Sequence, residues 1–154
     1  MAHHKDLTGV DLHEPKGVAT ATSGQAYLAD GAGSGAWTTP KVSYVTLEAV
    51  IVDISTAGDF YVVAPVAGVI SRIDGVLGAA ISGANSAVTF AIGGVAIDSS
   101  AMSVLQSGSA AGDQYSSTPS GHNTVVAGSL IKVSTDGAST GTAPFTVTLL
   151  VNVS

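Results

Sequence analysis

The sequence predicts an all-β protein, an antiparallel β-sandwich preceded by an extended N-terminal arm. From residue 42 onward, short runs rich in valine, isoleucine, threonine and aromatic residues alternate with turns of glycine, serine and aspartate. About eight such runs fit this stretch, and none shows the period of an amphipathic helix. Before residue 42, neither a strand period nor a helix period is sustained. Short strands at regular spacing are typical of sandwiches, of which the eight-stranded jelly roll is one form.

The arm covers residues 1–41, which are rich in glycine, alanine, threonine and charged residues. One short apolar segment, at Tyr27 and Leu28, precedes three glycines at alternate positions from residue 31 to residue 35. Because glycine and proline interrupt regular structure, we expect an extended arm with one small hairpin, ending at a turn near Pro40.

The sandwich covers residues 42–154, and two stretches predict its first three strands, "VSYVTLEAVIVD" and "DFYVVAPVAGVISRIDGVLG". In the first stretch, alternate apolar residues form an inward face at Val45, Leu47, Ala49 and Ile51. Val50 and Val52 place further apolar side chains on the opposite face, where a solvated strand face carries polar residues. In the second stretch, Pro65 separates two strands.

The remaining strands lie in the second half of the chain. A hairpin is predicted in "AVTFAIGGVAI", because Gly93 and Gly94 suit a two-residue turn that needs positive φ. Three short strands are expected in "AMSVLQS" and "NTVVAGSLIKVSTDG", and residues 106–122 are expected to form a surface loop with at most a short helical turn. The clearest strand is "APFTVTLLVNVS", with an inward face at Phe145, Val147, Leu149, Val151 and Val153.

Composition excludes several classes of protein. Without cysteine, the chain has no disulfides, thiolate zinc sites or cysteine nucleophiles. The net charge is −6, and Arg72 is the only basic residue between Lys41 and Lys132. The basic stripe that nucleic-acid binding requires is therefore missing, and docking to anionic lipid is equally disfavoured. No run approaches the roughly 18 apolar residues of a membrane span, and "MAHHKDLTG" has no apolar signal-peptide core, so neither feature is expected.

Two glycine motifs resemble catalytic loops only in their letters. "GASTG" has the spacing of a nucleophile elbow, which needs a strand before its serine and a helix after it. A strand follows instead, so Ser139 is predicted to lie in a β-turn. "DGAGSGAW" lacks the lysine and the helix of a phosphate-binding loop. We therefore predict no catalytic residue, small-molecule substrate or cofactor. The histidines form no H-E-x-x-H motif, and we predict no metal site, the alternative being metal scavenged in vitro by His3 and His4.

The densest charge cluster of the chain lies in the arm, in "DLHEPKG". Pro15 and Gly17 would set the path of the chain, while the charged side chains make directional contacts with a partner. The candidate partner-binding residues here are Asp11, His13, Glu14, Pro15, Lys16 and Gly17. The alternative is that these charges only solvate a tail. Trp37 is a further candidate, either as an interface anchor, a role in which tryptophan is enriched, or as a local plug between arm and sandwich.

Both parts of the chain resemble bacteriophage proteins. The arm, through "DLHEPKG" and "YLADGAGSGAW", resembles the N-terminal segment of tailed-bacteriophage virion proteins of the head-decoration, head-fibre and tail-fibre type. The body resembles phage capsid-decoration domains in "DISTAGDFYVVAPVAGVISRIDGVLGAAI", "VTFAIGGVAI", "SGSAAGDQYSSTPSGHNTVVAGSLIKVSTDGAST" and "FTVTLLVNV". Together the two resemblances cover nearly the whole chain.

The resemblance implies a non-enzymatic structural protein that decorates or cements the outer surface of a capsid. Its implied partners are the major capsid protein, reached through the arm, and further copies of itself in a homotrimer. It would be made in the bacterial host cytoplasm and reside on the capsid exterior of the virion. The alternative function is a head-fibre or tail-fibre base, or a module that binds host-surface glycans. Sugar binding favours exposed aromatic platforms, and only Tyr115 occupies the long loop.

Overall fold

The computed structural model describes residues 21–29, 32, 35–40 and 43–153. The chain divides after Lys41 into two units. Within the described residues the regular structure consists of strands, all paired antiparallel, and contains no helix. The predicted all-β class is confirmed.

The described residues of the first unit form one hairpin, as expected for the arm. Its strands are β1 (Ala26–Ala29) and β2 (Gly35–Thr38), with Leu28 opposite Ala36. At Gly35, an added Cβ would overlap the backbone carbonyl oxygen of Leu28, so only glycine allows the two strands to approach this closely. The course expected for the first twenty residues of the arm lies outside the described residues.

The described residues of the second unit form ten strands in two sheets. In chain order the strands are β3 (Tyr44–Ile51), β4 (Gly58–Val63), β5 (Gly68–Leu77), β6 (Ser86–Ile92), β7 (Val95–Ala96), β8 (Met102–Val104), β9 (Gln114–Ser117), β10 (Thr124–Val125), β11 (Leu130–Thr135) and β12 (Phe145–Asn152). Sheet I has the order β10-β5-β12-β3, with β9 also pairing with β5. Sheet II has the order β4-β11-β6-β7, with β8 also pairing with β6.

The order of the strands is that of a jelly roll. From β3 to β6 each successive strand lies in the other sheet, and β11 and β12 again lie in opposite sheets. β7 and β8 pair with different parts of β6, while β9 and β10 pair with different parts of β5. β7 and β8 together therefore occupy one strand position next to β6 in sheet II, and β9 and β10 together occupy one next to β5 in sheet I. The ten strands therefore fill the eight positions of two interleaved Greek keys, which confirms the predicted sandwich.

One apolar core lies between the two sheets and receives side chains from both. The inward faces predicted for β3 and β12 are confirmed, since Leu47, Ala49 and Ile51 are buried, as are all four odd-numbered residues from 145 to 151. At the ends of these faces, Val45 is partly buried against the core and Val153, just beyond β12, is half-buried. Sheet II adds Val88, Phe90, Ile131 and Val133. Full burial of an aliphatic or phenylalanine side chain stabilises a fold by roughly 1.5–3 kcal/mol, so these alternating positions hold the sheets together.

Two local predictions have different outcomes. The two-residue turn at Gly93 and Gly94 is confirmed, because φ is 56° and 87° at these residues and β6 pairs directly with β7. The prediction that residues 106–122 form only a loop is wrong, because this stretch contains β9. Three of the four β9 residues are polar, and the strand exists through its pairing with β5, a tertiary contact that local sequence does not reveal.

Candidate partner-binding surfaces

The candidate residues of the arm have different outcomes. Asp11, His13, Glu14, Pro15, Lys16 and Gly17 lie outside the described residues. Trp37 is half-buried in β2, directly opposite Tyr27. The two ring centroids are 5.5 Å apart with an interplanar angle of 64°, an edge-to-face arrangement that stabilises aromatic pairs. The hairpin thus presents a paired tyrosine and tryptophan, the residue types most often found at the centre of interfaces.

The outer face of sheet I mixes aliphatic and small polar side chains. In register across β3, β12 and β5, Val50 lies beside Thr146 and Val76, and Glu48 lies beside Thr148 and Asp74. Val50 is 50% exposed, and Val52, just beyond the strand, is 72% exposed. Within the described part of the chain, the apolar side chains that the sequence places on this face are therefore uncovered.

A shallow depression of about 480 Å³ lies on the same face, between β5 and β9. Arg72 Nε donates a hydrogen bond to Asp74 Oδ1 at 2.8 Å within it. Because both side chains are exposed, this ion pair contributes little to stability. Gln114 and Ser116 line the other side, so the depression offers donors and acceptors to a polar partner. The sequence does not reveal this site, because its two halves meet only through the pairing of β9 with β5.

The ring of Tyr115 packs towards the core. Its centroid lies 5.8 Å from that of the fully buried Phe145. Burial raises the pKa of the Tyr115 hydroxyl, and the nearby Asp113 carboxylate raises it further. The prediction that Tyr115 lies in a loop is wrong, because the residue lies in β9, where strand alternation turns its side chain inward.

The outer face of sheet II carries a second apolar cluster. Tyr61, Val63 and Leu130 are all exposed, and Val63 lies directly opposite Leu130. Beside the cluster, Lys132 Nζ lies 3.5 Å from an oxygen of Asp59. The pKa of Asp59 is lowered, mainly by a hydrogen bond from the Ser134 hydroxyl and secondarily by the Lys132 charge. Contiguous apolar residues rimmed by charges are typical of protein contact surfaces.

A strained corner joins the loops that follow β7 and β9. Ser99 and His122 adopt positive φ of 56° and 50°, which is uncommon for residues other than glycine. His122 Nδ1 lies 2.9 Å from Asp98 Oδ2, and Asp98 forms an isolated β-bridge with Gly121. Across the described ranges, no group of three or more histidine and acidic side chains is arranged to hold a metal ion. His3, His4 and His13 lie outside those ranges.

Ser139 does not have the geometry of a nucleophile elbow. Its side chain is buried, and its hydroxyl accepts a hydrogen bond of 2.7 Å from Ser86 Oγ. The next regular element is the strand β12. The prediction of a simple turn position is therefore incomplete, because Ser139 belongs to a buried hydroxyl pair that links the start of β6 to the segment before β12.

No protein-family model and no curated protein sequence was found to match the chain. Among the residues that the structure describes, no helix is long and apolar enough to cross a membrane.

Proposed function

We propose that this protein is a non-enzymatic structural protein of a bacteriophage virion that decorates or cements the outer surface of the capsid. Residues 1–41 dock on the major capsid protein, and the jelly roll forms the outer module. The observation that carries the proposal is the jelly roll itself, an architecture common in viral surface domains, joined to an arm that resembles those of phage virion proteins. The protein is made in the bacterial cytoplasm and resides on the capsid exterior.

Self-association is part of the proposal, with the homotrimer implied by the resemblance as the expected unit. The cluster of Tyr61, Val63 and Leu130 on sheet II supports it, because contiguous exposed apolar side chains are usually covered by a partner. A threefold contact through this cluster leaves the opposite face of the sandwich open.

A structural role also agrees with the chemistry of the described residues. Ser139 is buried against Ser86, so its hydroxyl is not presented to a substrate. The exposed pair of His122 and Asp98 supports the local geometry of a strained corner, where the Ser99 and Ser120 hydroxyls also contact each other. These contacts are accounted for by folding alone.

A second function, as a fibre base or glycan-binding module, is favoured by one observation. The depression between β5 and β9 brings Arg72, Asp74, Gln114 and Ser116 together on a rigid sheet. Guanidinium, carboxylate, amide and hydroxyl groups are suited to hydrogen-bond the hydroxyls of a sugar.

Two experiments test the main proposal. Gold-labelled antibody against this protein should decorate the whole head of purified virions, whereas label confined to the tail tip would favour the fibre alternative. In a binding assay with undecorated capsids, deletion of residues 1–41 should abolish binding. Replacing Glu14 and Lys16 by alanine should weaken binding tenfold or more, since each charge-assisted contact contributes about 1.5–3 kcal/mol.

A matched control is available on the sandwich. Arg72→Ala combined with Asp74→Ala also removes one basic and one acidic side chain, an exposed ion pair outside the arm, and should leave capsid binding unchanged. If the truncated protein coats capsids as densely as the full chain, the docking surface lies on the sandwich and the role of the arm is wrong.

A further inference from the structure

Strand β3 forms an open edge of sheet I. It pairs with β12 on one side, and no strand within the described residues pairs with it on the other. Its eight residues, Tyr44–Ile51, contain no proline, no lysine and a single charge, that of Glu48. Proteins usually protect long edge strands with charges, prolines or bulges, because exposed backbone groups there readily pair with another strand.

One hydrogen bond shows which residues of β3 present their backbone groups to this edge. The backbone N–H of Val153 donates to the carbonyl oxygen of Ser43 at 3.2 Å, so Ser43 faces β12. Every second residue of an antiparallel strand faces the same neighbour. The odd-numbered residues of β3 therefore bond to β12, and the backbone groups directed to the open edge belong to Tyr44, Thr46, Glu48 and Val50.

We propose that a second copy of this chain adds to the open edge through its own β3, antiparallel and about a two-fold axis. In this register Tyr44 lies opposite Val50 of the second copy, and Thr46 lies opposite Glu48 of the second copy. All four edge-facing residues then exchange backbone hydrogen bonds with a partner. The two sheets I become one continuous sheet, an isologous contact of the kind that builds two-fold dimers.

The side chains favour this register over its neighbours. Tyr44 is 59% exposed and Val50 is 50% exposed, and pairing them across the contact makes an aromatic and β-branched pair, a favourable cross-strand combination. If the strands slide by one pair in one direction, Glu48 lies opposite Glu48 of the second copy. The repulsion between these two negative charges disfavours that register. Sliding the strands in the other direction leaves Val50 beyond the end of the partner's strand. Charge repulsion in one direction and the loss of a cross-strand pair in the other thus both favour the register in which Tyr44 lies opposite Val50 of the second copy.

The contact does not depend on the capsid assignment. It uses the β3 edge and leaves the apolar cluster of Tyr61, Val63 and Leu130 on sheet II uncovered. A threefold contact through that cluster is compatible with it, and in a coat of trimers the β3 contact would join one trimer to the next.

Cysteine cross-linking in the full-length chain tests the contact, since the protein has no native cysteine. Tyr44→Cys combined with Val50→Cys should form disulfide-linked pairs under mild oxidation, because the Cα atoms of hydrogen-bonded opposite residues lie about 5.5 Å apart. Each single variant places its two cysteines roughly 20 Å apart in this register and should not cross-link. No cross-linking of the double variant, or equal cross-linking of a single variant, overturns the proposal. Coverage of the edge by the chain's own arm would give the first of these results.

A charge pair at position 46 tests the register. In the double-cysteine background, Thr46→Lys meets Glu48 of the second copy and should raise the cross-linking yield, whereas Thr46→Glu should lower it. Two such pairs form in each dimer, so an effect of about twofold to thirtyfold in the association constant is expected. Thr89→Lys and Thr89→Glu make the same charge changes on an exposed site of sheet II and should have no effect. Equal effects at both positions, or effects of the same sign for lysine and glutamate at position 46, overturn the register.

Discussion

The Ser86 hydroxyl donates a hydrogen bond of 2.7 Å to the hydroxyl of Ser139, and the Ser139 backbone N–H in turn donates to Ser86 Oγ at 3.3 Å. Both side chains are buried, although 53 residues separate them in sequence. The pair ties the start of β6 to the loop before β12. Ser139, which matches the serine of a catalytic motif in sequence, therefore has a structural role in the sandwich.

Ser139→Ala should therefore lower the stability of the sandwich without any effect specific to chemistry. The loss of a buried hydrogen-bond partner costs about 1–3 kcal/mol. The Ser86 hydroxyl would lose its acceptor at 2.7 Å and keep only the Ile54 carbonyl oxygen, at a long 3.5 Å. Urea denaturation measures this difference, with Ser103→Ala, an exposed serine of β8, as a control that stays close to wild type. In the double variant with Ser86→Ala the two losses should not add, and full additivity would show that the pair is not coupled.

Gly75→Ala should destabilise the sandwich because an added Cβ would overlap the ring of Phe145, which is fully buried. Overpacking of this kind costs about 1–3 kcal/mol. Gly58→Ala is the matched control, since its Cβ would meet the Phe60 ring at an ordinary distance of 3.6 Å. Thermal unfolding should distinguish the two variants, and Phe145→Leu should recover part of the loss caused by Gly75→Ala. Equal midpoints for both glycine variants would contradict the close approach.

The sandwich should lose stability in acid through Asp53. The pKa of its carboxyl is lowered mainly by hydrogen bonds from the Ser55 hydroxyl and backbone N–H, with a further bond from the Ala143 N–H. Because the folded-state pKa lies below the unfolded value near 3.8, the contribution is present above about pH 4 and disappears as the pH falls through the folded-state pKa. Urea denaturation between pH 2.5 and pH 6 should show the gap between wild type and Asp53→Asn closing in acid, and a constant gap would refute this role.

A chain of residues 42–154 should fold by itself. Among the residues that the structure describes, every member of the buried apolar core lies from Leu47 to Val151, so deletion of the arm removes none of these side chains. The expected result is a β-type circular dichroism spectrum and a single cooperative thermal transition. A broad, non-cooperative transition would indicate that the arm supplies part of the core.

The hairpin can be followed through Trp37, the single tryptophan of the chain. Tyr27→Ala removes the ring that contacts it edge to face, so the Trp37 emission should shift to longer wavelength as the indole becomes more exposed. The thermal midpoint of the sandwich serves as the internal control and should not change. An unchanged emission maximum would mean that the Tyr27 ring does not shield the indole.

Sequence alone determined the features of this protein that depend on neighbours in the chain. Alternation in β3 and β12 identified their inward faces, because a strand buried on one side must repeat apolar residues with a period of two. The turn at Gly93 and Gly94 was also predictable, because positive φ at two successive residues favours glycine.

Tertiary structure alone decided the features that require distant segments to meet. β9 exists because β5 offers it an edge, and the depression beside Arg72 exists because β9 is there. The burial of Ser139 depends on Ser86, and the open edge of β3 depends on the position of that strand at the end of sheet I. In each case the feature depends on the energy of contacts between residues that are distant in sequence. A local window of the sequence does not contain that energy, because the contacts form only when the two sheets pack around their core.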